Sequence, residues 1–225
     1  MDEDRPDQAP PPAPPPGSTG GKGMIERIKD ILIKPKSEWG VIEGEPATVQ
    51  SIYVPYVVIL AAIGPIASLI GQQLIGYGGY GIRIMPPIGY SVVAAVLSYG
   101  LALAGVYIAA LIIDALAPTF KGTKNFLNAF KVAAYSFTAF WLAQIFFIVP
   151  ELMFLAILGL YGFYLLYLGL PRLMKVQEDQ TIGYIGVVVF ATLVINGVLM
   201  VIAYKVAGAF FTPTVVIAPN AITFS

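Results

Sequence analysis

A chain of 225 residues in which 57 % are hydrophobic and 12 % charged cannot cover itself with a water-compatible surface, which takes charge at roughly a quarter to a third of its positions. A soluble protein is excluded and an all-α integral membrane protein is expected. Lys and Arg number 13 against 13 Asp and Glu, with no His and no Cys, so there is no basic field for nucleic acid, no disulfide or thiolate chemistry and no imidazole base or relay. No catalytic, cofactor-binding or metal-binding residue is expected.

Residues 1–23 read as a disordered, Pro-rich cytoplasmic tail. Met1-Asp2-Glu3-Asp4 is acidic, the opposite of a signal peptide's basic start. Pro10, Pro11, Pro12, Pro14, Pro15 and Pro16 sit among small and charged residues with no apolar bulk to bury. The segment reads as a tether sampling polyproline II; its PxxP spacing also suits an aromatic groove on a partner.

Residues 24–45 form an amphipathic interfacial segment. Met24, Ile25, Ile28, Ile31 and Leu32 recur at helical spacing, Glu26, Arg27, Lys29 and Asp30 take the other face, and Pro35 ends the helix. Two placements fit: on the membrane surface with Trp39 at headgroup depth, or docked on the protein's own loops.

Five apolar stretches follow, at about residues 52–75, 88–113, 129–149, 151–170 and 182–207. Each approaches the ~20 residues that cross the hydrocarbon as a helix, and a helix satisfies its own backbone there. The predicted architecture is a five-helix bundle over residues 50–210 with a tail at 211–225. Only Val149-Pro150-Glu151 joins the third and fourth stretches, which predicts an antiparallel hairpin. Eleven of the 13 basic residues fall before the first stretch or in the second and fourth connections, so the N-terminus is expected in the cytoplasm and the C-terminus outside.

Ionisable residues are nearly absent from the stretches, which argues against a proton pump. Asp114 closes the second near Lys121 and Lys124. The midplane polar candidates are Gln144 and Asn196, with Gln72 and Gln73 nearer the outer end. They read either as helix–helix hydrogen bonds of roughly 0.6–2 kcal/mol each or as a polar path. Gly76, Gly78 and Gly81 match the dinucleotide GxGxxG but lack its strand–helix context, and Gly76-Tyr77-Gly78 has no room for a filter's pore helix; an aromatic outer turn is expected.

In the fourth stretch Tyr161, Tyr164 and Tyr167 recur every three residues among Gly159, Gly162 and Gly169. This reads as an aromatic belt with close packing, or as a groove for a lipid or partner helix. Gly100 and Ala104, then Gly105 and Ala109, permit tight bundling or self-association.

Several of these residues carry a family pattern. Pro35 and Trp39 precede five spans; Phe120-Lys121-Gly122-Thr123-Lys124-Asn125-Phe126 leads to Ala133-Ala134-Tyr135-Ser136; and Leu160-Tyr161-Gly162-Phe163-Tyr164-Leu165-Leu166-Tyr167-Leu168-Gly169-Leu170 fills the fourth span. Over roughly residues 24–208 the chain resembles the bacterial form of the Yip1 family of membrane proteins. The resemblance implies a five-pass protein with a cytoplasmic N-terminus; eukaryotic members associate with Rab GTPases and with one another. Their Asp-Leu-Tyr-Gly-Pro motif is missing here, so partner-binding residues do not carry over, and Thr138-Ala139 stands where the family often has a Pro.

The function expected is non-enzymatic: organising the membrane or recruiting partners at a cytoplasmic face built from the interfacial segment with Lys121, Gly122, Lys124, Arg172 and Lys175. The alternative is a transporter or lipid scramblase whose path runs along Tyr161, Tyr164, Gln144 and Asn196, with Tyr167 on the same stripe as a lipid or partner contact. The expected partners are the lipid bilayer, a second copy of the chain or a cytoplasmic protein, not nucleic acid, and the expected location is a bacterial inner membrane.

Overall fold

The computed structural model describes residues 22–76, 84–210 and 216–217. The Pro-rich tail, apart from residues 22 and 23, most of the expected outer turn after Gly76, and most of residues 211–225 lie outside the described residues. Two short helices, α1 (Met24–Ile33) and α2 (Pro35–Gly44), precede five helices long and apolar enough to cross a membrane among the described residues: Val49–Leu74, Ile88–Phe120, Phe126–Ile148, Pro150–Met174 and Glu178–Val201. We call these the first to fifth spans. The five-span bundle expected from the sequence is the one observed. Residues 216–217 return to residues 84–85 in a two-residue antiparallel ladder, Ile84 opposite Ile217 and Met85 opposite Val216.

Pro35 acts differently from the expectation that it simply ends a helix. It is the first residue of α2, where its missing N–H would be unpaired in any case and its fixed φ suits a helix start. Residues 24–44 therefore form a helical hairpin hinged at Lys34.

The first span opens on a capping box: Thr48 Oγ1 accepts from the Ser51 N–H, and Ser51 Oγ accepts from the Thr48 N–H. Its two prolines are accommodated by local rewinding. Pro55 sits in a π-helical turn, Tyr53–Val57, and Pro65 in the first turn of a helix that restarts after Ala62, whose N–H turns to the Ile59 carbonyl at 3.3 Å. Asn125 caps the third span by accepting from the Asn128 N–H. Val149 alone separates the third and fourth spans in extended conformation. The fourth begins as a 3-10 helix, Pro150–Leu160, and becomes α-helical from Tyr161 to Met174. A 3-10 helix rises ~2 Å per residue, so this stretch covers more of the bilayer than an α-helix of equal length.

Lipid is as apolar as leucine, so these helices are held together by close packing and hydrogen bonds rather than by escape from water. The third span is the most buried of the five and packs against the second and fourth, while the second also holds the fifth. Glycines permit the closest approaches. A Cβ on Gly162 would lie 2.7 Å from the Ser136 carbonyl oxygen, and one on Gly159 3.1 Å from Phe140 Cα. Tyrosine hydroxyls stitch the bundle: Tyr53 donates to the Leu103 carbonyl (3.2 Å), Tyr99 to Val58 (3.0 Å), and Tyr184 to Ile113. Gln73 donates to Pro86 O and Ser91 Oγ, and Ser91 donates to Gln72. These two glutamines therefore serve as helix–helix hydrogen bonds. Gly105 lies against Asn196 and Ala109 is buried, whereas Gly100 faces open space.

Lys121 and Lys175 adopt left-handed φ values of 56° and 57°, ending the second and fourth spans where glycine is usual. Lys121→Gly is expected to stabilise the bundle by about 0.5–1 kcal/mol, read as a higher thermal midpoint in detergent.

Candidate functional site

The most unusual chemistry in the molecule lies beneath α1 and α2. The predicted polar face of α1 does not all point away from the protein: Arg27 and Ile31 are its buried residues, and Arg27 is 3 % exposed. A guanidinium tolerates burial only when its N–H groups are paired. Nη1 donates to Glu38 Oε1 on α2, itself 2 % exposed, and Nη2 donates to Glu45 Oε2. Lys22 Nζ adds Asp30 at 2.5 Å and Glu38 at 2.7 Å. Hydrogen bonding to Lys22 holds the Asp30 carboxyl below the usual carboxylate range, and the same bonds to Asp30 and Glu38 push the Lys22 ammonium up.

Lys131 completes the cluster from the third span. It is 4 % exposed and donates to the carbonyls of Ile42 and Glu45, each at 2.8 Å. These carbonyls belong to the C-terminal end of α2, where helix carbonyls lack partners and the helix dipole favours a cation. Arg27 and Lys22 thus meet three carboxylates, Lys131 adds a third cation on backbone carbonyls, and α2 is tied to the bundle at its end.

Aromatic rings carry the contact inward. Arg27 Cζ lies 5.5 Å from the Tyr135 ring centroid, a cation–π geometry. Tyr135 meets Trp39 edge-on at 6.3 Å and Tyr56 at 5.0 Å, and Tyr56 hydrogen-bonds Thr138 at 2.6 Å. Trp39 is fully buried, and a Cβ on Gly169 would lie 2.7 Å from its ring. Tyr161 donates to the Leu32 carbonyl at 2.9 Å, so the innermost of the three expected tyrosines anchors α1.

The remaining predicted residues fall into three groups and one lone tyrosine. Lys121, Gly122 and Lys124 form a loop against the end of the fourth span: the Thr123 N–H donates to Met174 O at 2.6 Å, and a Cβ on Gly122 would meet Met174 O at 2.9 Å. Lys124 Nζ lies 4.0 Å from Asp114. Tyr167, Arg172 and Lys175 share an open groove of about 400 Å3 with Glu43, Leu168, Pro171 and Glu178. Arg172 Nε donates to Glu43 Oε2 at 3.0 Å, and Lys175 Nζ to Glu43 Oε1. Tyr164, 39 % exposed, stands alone beside Tyr161, its ring centroid 5.4 Å away and the ring planes tilted by 51°. Gln144 and Asn196 line a separate cavity of about 250 Å3 between the second, third and fifth spans, walled by Phe137, Trp141 and Thr192. Among the described residues no group of three His, Cys, Asp or Glu side chains is arranged to hold a metal ion.

Hydrogen bonding from Lys175, opposed by burial and reinforced by Arg172, holds the Glu43 carboxyl below its ordinary value of 4.5. A lowered folded-state pKa contributes stability above the unfolded value and loses it as pH falls through the folded one. Docking of α2 on the fourth span is therefore expected to weaken progressively below pH 4.5. Amide exchange of residues 35–44 across a pH series reads this, and the component due to Glu43 is absent from Glu43→Gln.

Reasoning from sequence missed Arg27, Glu38, Glu45 and Lys131 as one cluster. The available signal was Lys131, which lies inside an apolar span and must have partners there.

The family model described as the Yip1 domain matches residues 29–200. The chain is 28 % identical over 187 residues, covering 78 % of this chain and 96 % of the relative, to a protein called Inner membrane protein YohC of Escherichia coli strain K12, with the same figures for the protein of that name from E. coli O6:H1. No solved structure matches the chain.

Proposed function

Because the chain belongs to the Yip1 domain family of multi-pass membrane proteins, we propose that it works in the bilayer without catalysis, organising the membrane or recruiting partners at the face built by α1, α2 and the loops 121–125 and 175–177. The observation that carries this reading is the charge-balanced cluster in which buried Arg27, Glu38 and Lys131 meet the partly buried Lys22, Asp30 and Glu45. Buried charges are costly unless fully paired, and their pairing here turns a short hairpin into a fixed platform. Ile25, Ile33 and Val41 remain exposed on that hairpin, at 78, 65 and 44 %, which suits contact with the membrane surface as well as with the bundle. The bias of basic residues supports a cytoplasmic position for this face, and the relatives' name supports an inner membrane.

A photo-crosslinking residue placed at Lys121 or Lys124 in inner-membrane vesicles tests the reading. Distinct protein adducts are expected at both positions and not at lipid-facing Val201. Adduct patterns no different from those at Val201 would refute recruitment at this face.

A second reading, a transporter or scramblase, is favoured by the cavity that brings Gln144 and Asn196 together. It predicts protein-dependent lipid or solute flux in liposomes that Asn196→Leu lowers. The absence of flux with insertion verified removes it.

A further inference from the structure

The groove at the end of the fourth span holds four charges whose balance points to a ligand. Arg172 and Lys175 face it with Glu43 and Glu178. Among the described residues Arg172 uses only Nε on Glu43, leaving both Nη groups without an acceptor, and Lys175 uses one of its three N–H donors. The guanidinium lies close against α2: a Cβ on Gly40 would lie 2.9 Å from Arg172 Nη2. Glu178, exposed in the first turn of the fifth span, has no ion pair or hydrogen bond among the described residues. The groove therefore offers spare N–H donors beside a spare carboxylate, with no net charge.

Below it, Leu160, Phe163, Tyr164 and Tyr167 are exposed at 55, 46, 39 and 39 %. Their spacing of three and four residues places them on one side of the fourth span, leading from the groove into the hydrocarbon. A charge-neutral, two-signed headgroup site continuous with an apolar stripe has the shape of an amphiphile.

We propose that this groove binds a zwitterionic phospholipid bearing a primary ammonium, of the phosphatidylethanolamine class. The phosphodiester accepts from Arg172 and Lys175, and the ammonium donates to Glu178. A choline headgroup has no N–H to donate, and a glycerol headgroup brings no cation to the carboxylates, so both are disfavoured. The inference rests on the reading of this face as the protein's working surface. It is nevertheless read separately, because crosslinking at Lys121 reports proteins and not lipid selectivity.

The test is native mass spectrometry of the purified full chain in detergent, offered equal amounts of phosphatidylethanolamine, phosphatidylcholine and phosphatidylglycerol with identical acyl chains. Retention of the ethanolamine lipid is expected to exceed the others by about tenfold, the effect of one charge-assisted hydrogen bond. Glu178→Gln should erase the preference over choline while leaving choline retention as it was. Arg172→Gln should lower both. Gly40→Leu keeps every charge but displaces the guanidinium, and should also lower both. Equal retention of the three lipids, a preference for glycerol, or an unchanged preference in Glu178→Gln would overturn the proposal. Water-soluble glycerophosphoethanolamine is the remaining arm: competition as strong as the lipid's would make the ligand a soluble amine phosphate and overturn its assignment as a lipid. Lost lipid selectivity with intact adducts at Lys121 removes this inference alone.

Discussion

Arg27→Ala is expected to free α1 and α2 from the bundle, at a cost of about 3–5 kcal/mol. The substitution takes the guanidinium from both Glu38 and Glu45, leaving Glu38 with Lys22 and Glu45 with no side-chain ion pair among the described residues, and Glu38 is 2 % exposed. Removing one member of a buried pair costs more than the pair contributes, because the remaining charge stays desolvated. The cation–π contact with Tyr135 is lost as well. Undocking would expose Trp39, one of two tryptophans in the chain, so its emission should shift to the red while that of Trp141 stays put. Faster amide exchange should be confined to residues 24–45. Pairing the change with Glu38→Gln, which removes one stranded carboxylate, should recover part of the loss. Native-like exchange over residues 24–45 in Arg27→Ala would show that the cluster does not hold the hairpin.

Gly162→Val is expected to cost about 1–3 kcal/mol or more by forcing the third and fourth spans apart. The new Cβ would lie 2.7 Å from the Ser136 carbonyl oxygen, a backbone atom that can move only with its helix. Ser136 lies in the most buried span, so the displacement is passed to the second and fourth spans together. Gly186→Val is the matched control: it sits in the fifth span with nothing within 4 Å of its Cβ position, and should change the thermal midpoint little. An equal fall for both variants would mean that valine in a span, not the contact, is responsible.

The comparison of these residues with the sequence reading follows physical lines. The five spans were legible because apolar length is a local property, and the resemblance to the Yip1 family rested on local strings such as those around Lys121 and Tyr161. The hairpin α1–α2 was half legible. The periodicity of Ile28, Ile31 and Leu32 marked a helix, but Arg27 was placed on the polar face because helical periodicity cannot tell a solvated charge from one met by a partner 11 residues away. Glu38 and Glu45 lie in α2 and at its end, Lys131 on the third span, and only tertiary structure brings them to Arg27. Arg172 and Lys175 were legible as a basic pair at the end of a span. That Glu43 sits between them, and that Glu178 faces them unpaired, depends on how α2 lies over Gly169, a contact without a sequence signature. Gln144 and Asn196 stand out together as the midplane polar residues and share one cavity, because the third and fifth spans both pack on the second.

The single residue between the third and fourth spans bears on how the protein is made. Of the five spans, the third is the least apolar and carries Lys131, whose partners lie on α2. A charged segment leaving the insertion machinery alone would partition poorly into lipid. Val149 cannot reach across a bilayer, so neither span can be laid down far from the other. The strongly apolar fourth span is therefore expected to draw the third in with it, so that the two enter as a pair. By then α1 and α2 have already been synthesised, and the Ile42 and Glu45 carbonyls are at hand for Lys131 as its helix reaches the membrane edge.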